Sequence, residues 1–414
     1  MFDQAIVSGL GFLTSIAVGR FAGKSELGVY ALGMSIVLLC ISIQQSLVSA
    51  PHTIFVIRHQ GEDRLRYNGS MFAFAFAIMS LIFIGSIAVS GALLGAGVDD
   101  QWPVVALLAI LGPAVLLREF CRKFLFANHE ITNVLLFDSL IATIQIGVLG
   151  LLIWTKALNG LLGLGVVALA CLVIGVGWFL KYRSQFNYSK TAFSADLRSS
   201  WDFGKWVFAG QVSIALMMVG LNWLLVSFGG TEANGAFGAC MMLILLANPF
   251  VLGIQNLLSP RMAKAMHGAG RDQVKKLVNQ ATLKLGGVMG VFTVGVCLFG
   301  NAFVQFVYGN EYAGYQIPIM FLAFGALALS LGVSSNHGLR AIERPELNFV
   351  ATGSGLAVAL LAAFLLIPTY GVLGAAISYF IGHLLIAVVR YLSFMSAAGK
   401  SVDVEESLSS GVQA

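Results

Sequence analysis

Three observations predict an all-α membrane protein of about twelve transmembrane helices in two six-helix lobes: an apolar composition, a one-sided distribution of basic residues, and an internal repeat. Of the 414 residues, 58% are hydrophobic and only 10% are charged, with a mean hydropathy of +0.87. Soluble domains carry about 25% charged residues, so this chain has too few to cover a water-facing surface of its size. Its apolar runs are continuous and roughly 20 residues long, which suits helices crossing a hydrocarbon core of about 30 Å. A membrane barrel would instead show alternating segments of about 10 residues.

The spans are predicted near 2–19, 27–55, 70–95, 102–124, 133–155, 160–182, 203–228, 235–258, 284–308, 314–338, 347–368 and 371–395. The first is read as a spanning helix rather than a cleaved leader. It opens on Asp3 and ends at Arg20 and Lys24, not at a small-residue cleavage site. The second is long enough to need a break, which Pro51 supplies, and Pro113 and Pro249 are candidate kinks in the fourth and eighth.

Basic residues orient the chain. With these spans, one set of connections and helix ends holds 21 of the 24 Lys and Arg, and the opposite set holds only Arg20, Lys24 and Lys156. One missed helix would invert every later loop and destroy that bias. Both termini are therefore expected on the cytoplasmic side. The net charge of +5 is a topology signal rather than a nucleic-acid surface. The longest connections, 182–202 and 259–283, are expected to be cytoplasmic, and the tail 396–414, Ser-rich and ending acidic, to be disordered. The outer loops are too short to hold a catalytic domain, and no GxxxxGK[ST] phosphate loop or metal-ligand spacing occurs, so neither a cofactor nor an enzyme is expected. The five cysteines are far apart and read as small buried hydrophobes.

Phe21–Tyr30 reads FAGKSELGVY and Phe228–Phe237 reads FGGTEANGAF, an F-x-G-x-x-x-x-G-x-aromatic pattern repeated after 207 residues. GLLGLG at 160–165 echoes GVLGAA at 371–376, and Ala50-Pro51 echoes Ser259-Pro260. Six spans per repeat is an even number, so the lobes, 1–190 and 191–395, share one orientation about a pseudo-two-fold axis along the membrane normal. Transporters built on such repeats place substrate near the midplane between lobes.

The opening FDQAIVSGLGFLTSIAVGRFAGKSELGVYALGMSIVLL (2–39) resembles polysaccharide-transporter proteins, the O-antigen and exopolysaccharide flippases of the multidrug/oligosaccharidyl-lipid/polysaccharide exporter superfamily. The shared features are Asp3-Gln4, Ser8, Phe12-Leu13, Arg20, Gly23, Glu26 and Gly28-x-Tyr30. The resemblance implies a central cavity, alternating access, and a polyprenyl-pyrophosphate-linked oligosaccharide drawn from the membrane lipid of a bacterial inner membrane. A polysaccharide polymerase and glycosyltransferases are the implied partners.

A pyrophosphate needs cations on its path, and the arginine fork suits phosphate. Arg20 and Lys24 sit at the outer end of the first span, either as a snorkelling helix end with a loop cation or as a phosphate-holding rim. Arg118 and Arg122 share one face of the fourth span, and Glu119 can pair with Arg122 or Lys123. These residues read as a self-compensated helix end or as a cationic mouth. If that helix starts near Trp102, Arg118 lies roughly 24 Å along it, still inside the hydrocarbon. A lone Arg there costs about 2.5–3.5 kcal/mol on insertion scales. Arg340 with His337 is the counterpart in the second lobe. Gln211, Asn222, Asn248, Gln255 and Asn256 either join helices or line a sugar path, and His383 reads as a helix-packing hydrogen bond. A cation-coupled multidrug antiporter of the same superfamily is the alternative function. It would need deep carboxylates, and only Glu119 and Asp138 enter spans, making them the ion-coupling candidates. A membrane polymerase or ligase is a third reading, disfavoured by the short outer loops.

Overall fold

A computed structural model describes residues 2–97 and 101–399, leaving aside the side chains of 2–5, 191, 249, 256, 257, 259, 260, 263 and 267–269. Most of the tail 396–414, and the side chain of Asn256, therefore lie outside the described residues. Among the described residues there are helices and turns and no strand. The helices are α1 (Phe2–Phe21), α2 (Lys24–Gln44, prolonged to Arg58), α3 (Gly61–Gly95), α4 (Trp102–Ala127), α5 (Ile131–Trp154) and α6 (Gly160–Tyr182). There follow α7 (190–229), α8 (231–269, with a turn at 246–247), α9 (271–308), α10 (Gln316–Ala341), α11 (Glu346–Tyr370) and α12 (Val372–Gly399).

The twelve expected spans thus each fall on a helix, and four helices clearly outrun them. α3 starts at Gly61, α7 at Lys190 and α9 just after Gly270, while α8 runs on to 269. Much of the expected long connections 182–202 and 259–283 is therefore helical. A hydropathy run marks only the part of a helix that sits in hydrocarbon, and a polar helical extension leaves no such mark.

The break expected at Pro51 is a π-turn, Gln45–Ser49, followed by a short helix Ala50–Phe55. Pro51 has no N–H for its fourth-previous carbonyl, and the ladder shifts register to accommodate it, with the Ala50 N–H donating to the Gln45 carbonyl. α4 runs unbroken through Pro113, whereas α8 is interrupted immediately before Pro249.

The repeated F-x-G motifs share a backbone solution. Gly23 has φ 97°, ψ 174° and Gly230 has φ 74°, ψ 177°, a region open essentially to glycine alone. Each glycine forms the joint between two helices, α1–α2 and α7–α8. The second glycines of the motifs pack on each other: a Cβ on Gly28 would collide with the Thr231 carbonyl, and one on Gly235 with the Lys24 carbonyl. Asn234 Nδ2 donates to the Gly28 carbonyl (2.8 Å), and the hydroxyls of Ser25 and Thr231 share a hydrogen bond of 2.6 Å.

The chain forms two compact units, the first comprising 1–239 with 307–311 and the second 240–306 with 312–399 of the described residues. In unit one, Leu10, Cys121, Phe124, Leu125, Val134, Phe137 and Trp178 form one apolar core beside a second built on Val48, Val56, Met71, Leu116 and Phe120. Unit two is centred on Met262, Val274, Val278, Leu285, Leu339 and Phe394. Cys40, Cys121, Cys171 and Cys240 are buried free thiols.

Candidate functional site

In unit one, α4 and α5 bury an ionic cluster. Arg118 and Arg122 both turn toward Asp138 on α5, as their i,i+4 spacing allows. Arg122 Nε donates to Asp138 Oδ2 at 3.0 Å, and Arg118 Nη2 stands 3.8 Å from Asp138 Oδ1. Arg118 Nη1 also lies 3.4 Å from Glu119 Oε1, so Glu119 pairs with its immediate predecessor. Arg122 is 5% exposed and Asp138 1%. The Arg122 guanidinium stacks over the Phe126 ring, 5.6 Å from its centre. Two arginines and two carboxylates leave this group without net charge. Such a cluster is stable in a low-dielectric interior only because each ion has a counter-ion, since one unpaired member would bear a desolvation cost of several kcal/mol.

At the opposite end of unit one, Arg20 Nη1 donates to the Val307 carbonyl at 3.2 Å, and Lys24 Nζ pairs with Glu232 at 3.2 Å. Several neutral polar residues of unit one are ties between helices or within one. Gln44 Nε2 donates to the Leu116 carbonyl, joining α2 to α4 (2.8 Å). Gln145 Nε2 donates to Thr14 Oγ1, joining α5 to α1 (2.7 Å). Asn222 bonds back to the Met218 carbonyl of its own helix (2.8 Å). Gln211 is half-buried. His52, which sequence reasoning passed over, is buried just beyond the π-turn and shares a hydrogen bond with Asn68 Oδ1 (3.0 Å).

In unit two, Arg340 is exposed near the end of α10 and His337 is half-buried one turn before it. His337 Nδ1 and Asn336 Oδ1 have no hydrogen-bond partner among the described residues. Asn248 is exposed where α8 resumes, and Gln255 is half-buried. His383 bonds the Tyr379 carbonyl of its own helix (2.9 Å), a tie within α12 rather than between helices. Sequence reasoning counted Arg390 only as one of the cytoplasmic basic residues. It is in fact 3% exposed, inside α12, with Nε donating to Asn348 Oδ1 on α11 at 2.7 Å. Its place within the expected span 371–395 was the available signal. Among the described residues no group of three His, Cys, Asp or Glu is arranged to hold a metal.

Comparison with known proteins identifies the fold. The structure matches an inward-facing multidrug resistance MATE family transporter of the MOP superfamily with a TM-score of 0.80, at 15% identity, over 96% of this chain and 95% of that one. An outward-facing MATE transporter matches with a TM-score of 0.69 at 15% identity, over 96% and 93%. A MOP-superfamily transporter from Pyrococcus furiosus, described as having a binding pocket of reverse polarity, matches with 0.70 at 15% identity, over 96% and 93%. The chain is thus a multi-pass helical membrane protein with the MATE transporter fold. In sequence it is similar to the capsular polysaccharide biosynthesis protein CapF of Staphylococcus aureus, 26% identical over 166 residues, which is 40% of this chain and 41% of that protein. The similarity thus covers less than half of either chain. No family model matches the sequence.

Proposed function

We propose that the chain is a flippase that carries a lipid-linked oligosaccharide across a bacterial cytoplasmic membrane, with both termini cytoplasmic. Its lobes, 1–190 and 191–395, rock between two openings in this reading. The single observation that carries it is the state of the intramembrane carboxylates. Asp138 and Glu119, the deep acids that an ion-exchanging antiporter would use, are engaged by Arg118 and Arg122. The partial similarity to a protein of capsular polysaccharide biosynthesis supports a sugar substrate. The cations Arg20, Lys24, Arg118, Arg122 and Arg340 are the proposed pyrophosphate contacts along the path, Arg118 and Arg122 only once the phosphate displaces a carboxylate of their cluster. Gln211, Asn222, Asn248, Gln255 and His337 supply the polar lining, and Asn256, whose side chain lies outside the described residues, is the remaining sequence candidate for it. Polysaccharide polymerase and glycosyltransferases would act on the two sides of the step.

The fold shared with multidrug transporters favours a second reading, drug efflux coupled to an ion through Asp138. Proteoliposomes separate the two. With a fluorescent polyprenyl-pyrophosphate oligosaccharide, wild type is expected to expose the label to an outside quencher. Arg118→Ala combined with Arg122→Ala is expected to slow this at least about tenfold, as loss of charge-assisted phosphate contacts implies. Unchanged translocation and binding by a normally inserted double variant would remove these arginines from the path. Gradient-driven dye efflux without lipid translocation would overturn the flippase reading altogether.

A further inference from the structure

The excess positive charge of this protein is concentrated in unit two. By sequence, unit one holds 14 Lys and Arg against 13 Asp and Glu, while 240–306 with 312–399 holds nine against three. Those three acids, Asp272, Glu343 and Glu346, all lie at helix ends, and Glu346 is engaged by Arg344. None reaches Arg390.

Arg390 lies nine residues short of the end of α12, roughly 14 Å along the axis. A snorkelling arginine would bring its head to the helix end and expose it. Arg390 does neither: it is 97% buried, and its stem packs against α10, where a Cβ on Gly332 would meet Arg390 Cδ at 3.5 Å. Among the described residues its hydrogen-bond partner is the neutral Asn348 amide, which engages one of the five N–H donors of the guanidinium. An amide oxygen satisfies a donor but does not neutralise a charge. One turn along α10 from Gly332 stand Ser335, fully buried with an unpartnered Oγ, and Asn336, with an unpartnered Oδ1. Arg340 and His337 are within electrostatic reach of one another and of Arg390. The group therefore comprises an exposed cation, Arg340, a half-buried imidazole, His337, and a buried guanidinium, Arg390, with no carboxylate among them.

We infer that Arg390, Asn348, Ser335, His337 and Arg340 form an oxyanion site in unit two, whose ligand is a phosphate or pyrophosphate group that enters past Arg340 and pairs with the buried guanidinium. An anion there would supply the missing counter-charge, and the planar fork of Arg390 suits two oxygens of one phosphate. The inference deepens the transport reading and rests on it for the source of the ligand, since Arg340 and His337 belong to both. Binding through Arg390 by a chain that moves no lipid would refute the transport reading alone, whereas lipid movement by a chain that binds no pyrophosphate would refute this site alone.

The test is calorimetric titration of the full chain in detergent with inorganic pyrophosphate, and separately with farnesyl pyrophosphate. Both ligands are expected to bind competitively. Tighter binding of the farnesyl compound marks a lipid headgroup as the source, and equal binding marks a soluble anion. Arg390→Gln is expected to weaken both by about tenfold or more, the scale of a hydrogen bond to a charged group. Arg390→Lys keeps the charge but loses the fork, and should fall between. Arg344→Gln, which alters an exposed pair, should bind as wild type. If Arg390→Gln does not fold, Arg340→Gln serves instead, because it removes the entry cation without disturbing the core. Absence of pyrophosphate binding by wild type, equal affinity in the Arg390 and Arg340 variants, or equal stabilisation by chloride would overturn the site.

Discussion

The two units bury arginine in opposite ways. In unit one, Arg118 and Arg122 meet Asp138 and Glu119 and the group closes on itself electrically. In unit two, the polar partner of Arg390 among the described residues is the neutral Asn348. The difference separates architecture from chemistry. A buried ion with an internal counter-ion is complete and ties two helices together. A buried ion whose partner is a neutral amide remains incomplete until something negative arrives. The same residue type at similar burial therefore has opposite meanings, and the partner decides which one applies.

The largest expected effect tests the closed cluster. Asp138→Asn removes the carboxylate that Arg118 and Arg122 share and should destabilise unit one by about 3–5 kcal/mol. Thermal unfolding of the purified protein measures this, and an unchanged midpoint would mean that the cluster is not what holds α4 to α5. Next comes Asn348→Ala, which removes the single acceptor of Arg390 and should cost about 1.5–3 kcal/mol. Added pyrophosphate should recover part of that loss, because it binds the folded state. Gln145→Leu sets a scale for neutral ties in the same protein, since cutting the link to Thr14 should cost about 0.6 kcal/mol. Of similarly small size is the joint replacement of Arg122 by Met and Asp138 by Leu. Removing both ions together should change stability by about 1 kcal/mol or less, because desolvation and attraction vanish as a pair. If that double variant is as damaged as Asp138→Asn, the closed cluster has a role beyond packing.

Much of this was legible in the sequence. Apolar runs located each helix because hydrocarbon thickness imposes a length that composition reveals. The repeated motif carried more than topology: its first glycine marks a joint that only glycine can make, and its second marks a contact that only glycine can fit. The i,i+4 spacing of Arg118 and Arg122 showed that they share a face. Their partner did not show, because Asp138 lies beyond a turn on another helix and only packing brings it near. Arg390 was hidden by a statistical rule. Counting basic residues by side of the membrane treats each as a loop cation, and depth along α12 becomes visible only when the helix is built. The polar first turns of α7 and α9 escaped for a related reason, since a helix outside the hydrocarbon needs no apolar run.

The Gly28–Gly235 contact also constrains the order of synthesis. Residues 24–28 leave the ribosome long before residues 231–235. At roughly 5–20 residues per second, the first motif waits about 10–40 s for its partner. Until then the Lys24 carbonyl faces no Gly235 and the Gly28 carbonyl has no Asn234 amide. A nascent chain halted after α6 would hold six inserted helices and still lack this closure. Pulse-labelled chains cross-linked between cysteines placed at Ser25 and Thr231 should therefore acquire the bond only after α8 has emerged.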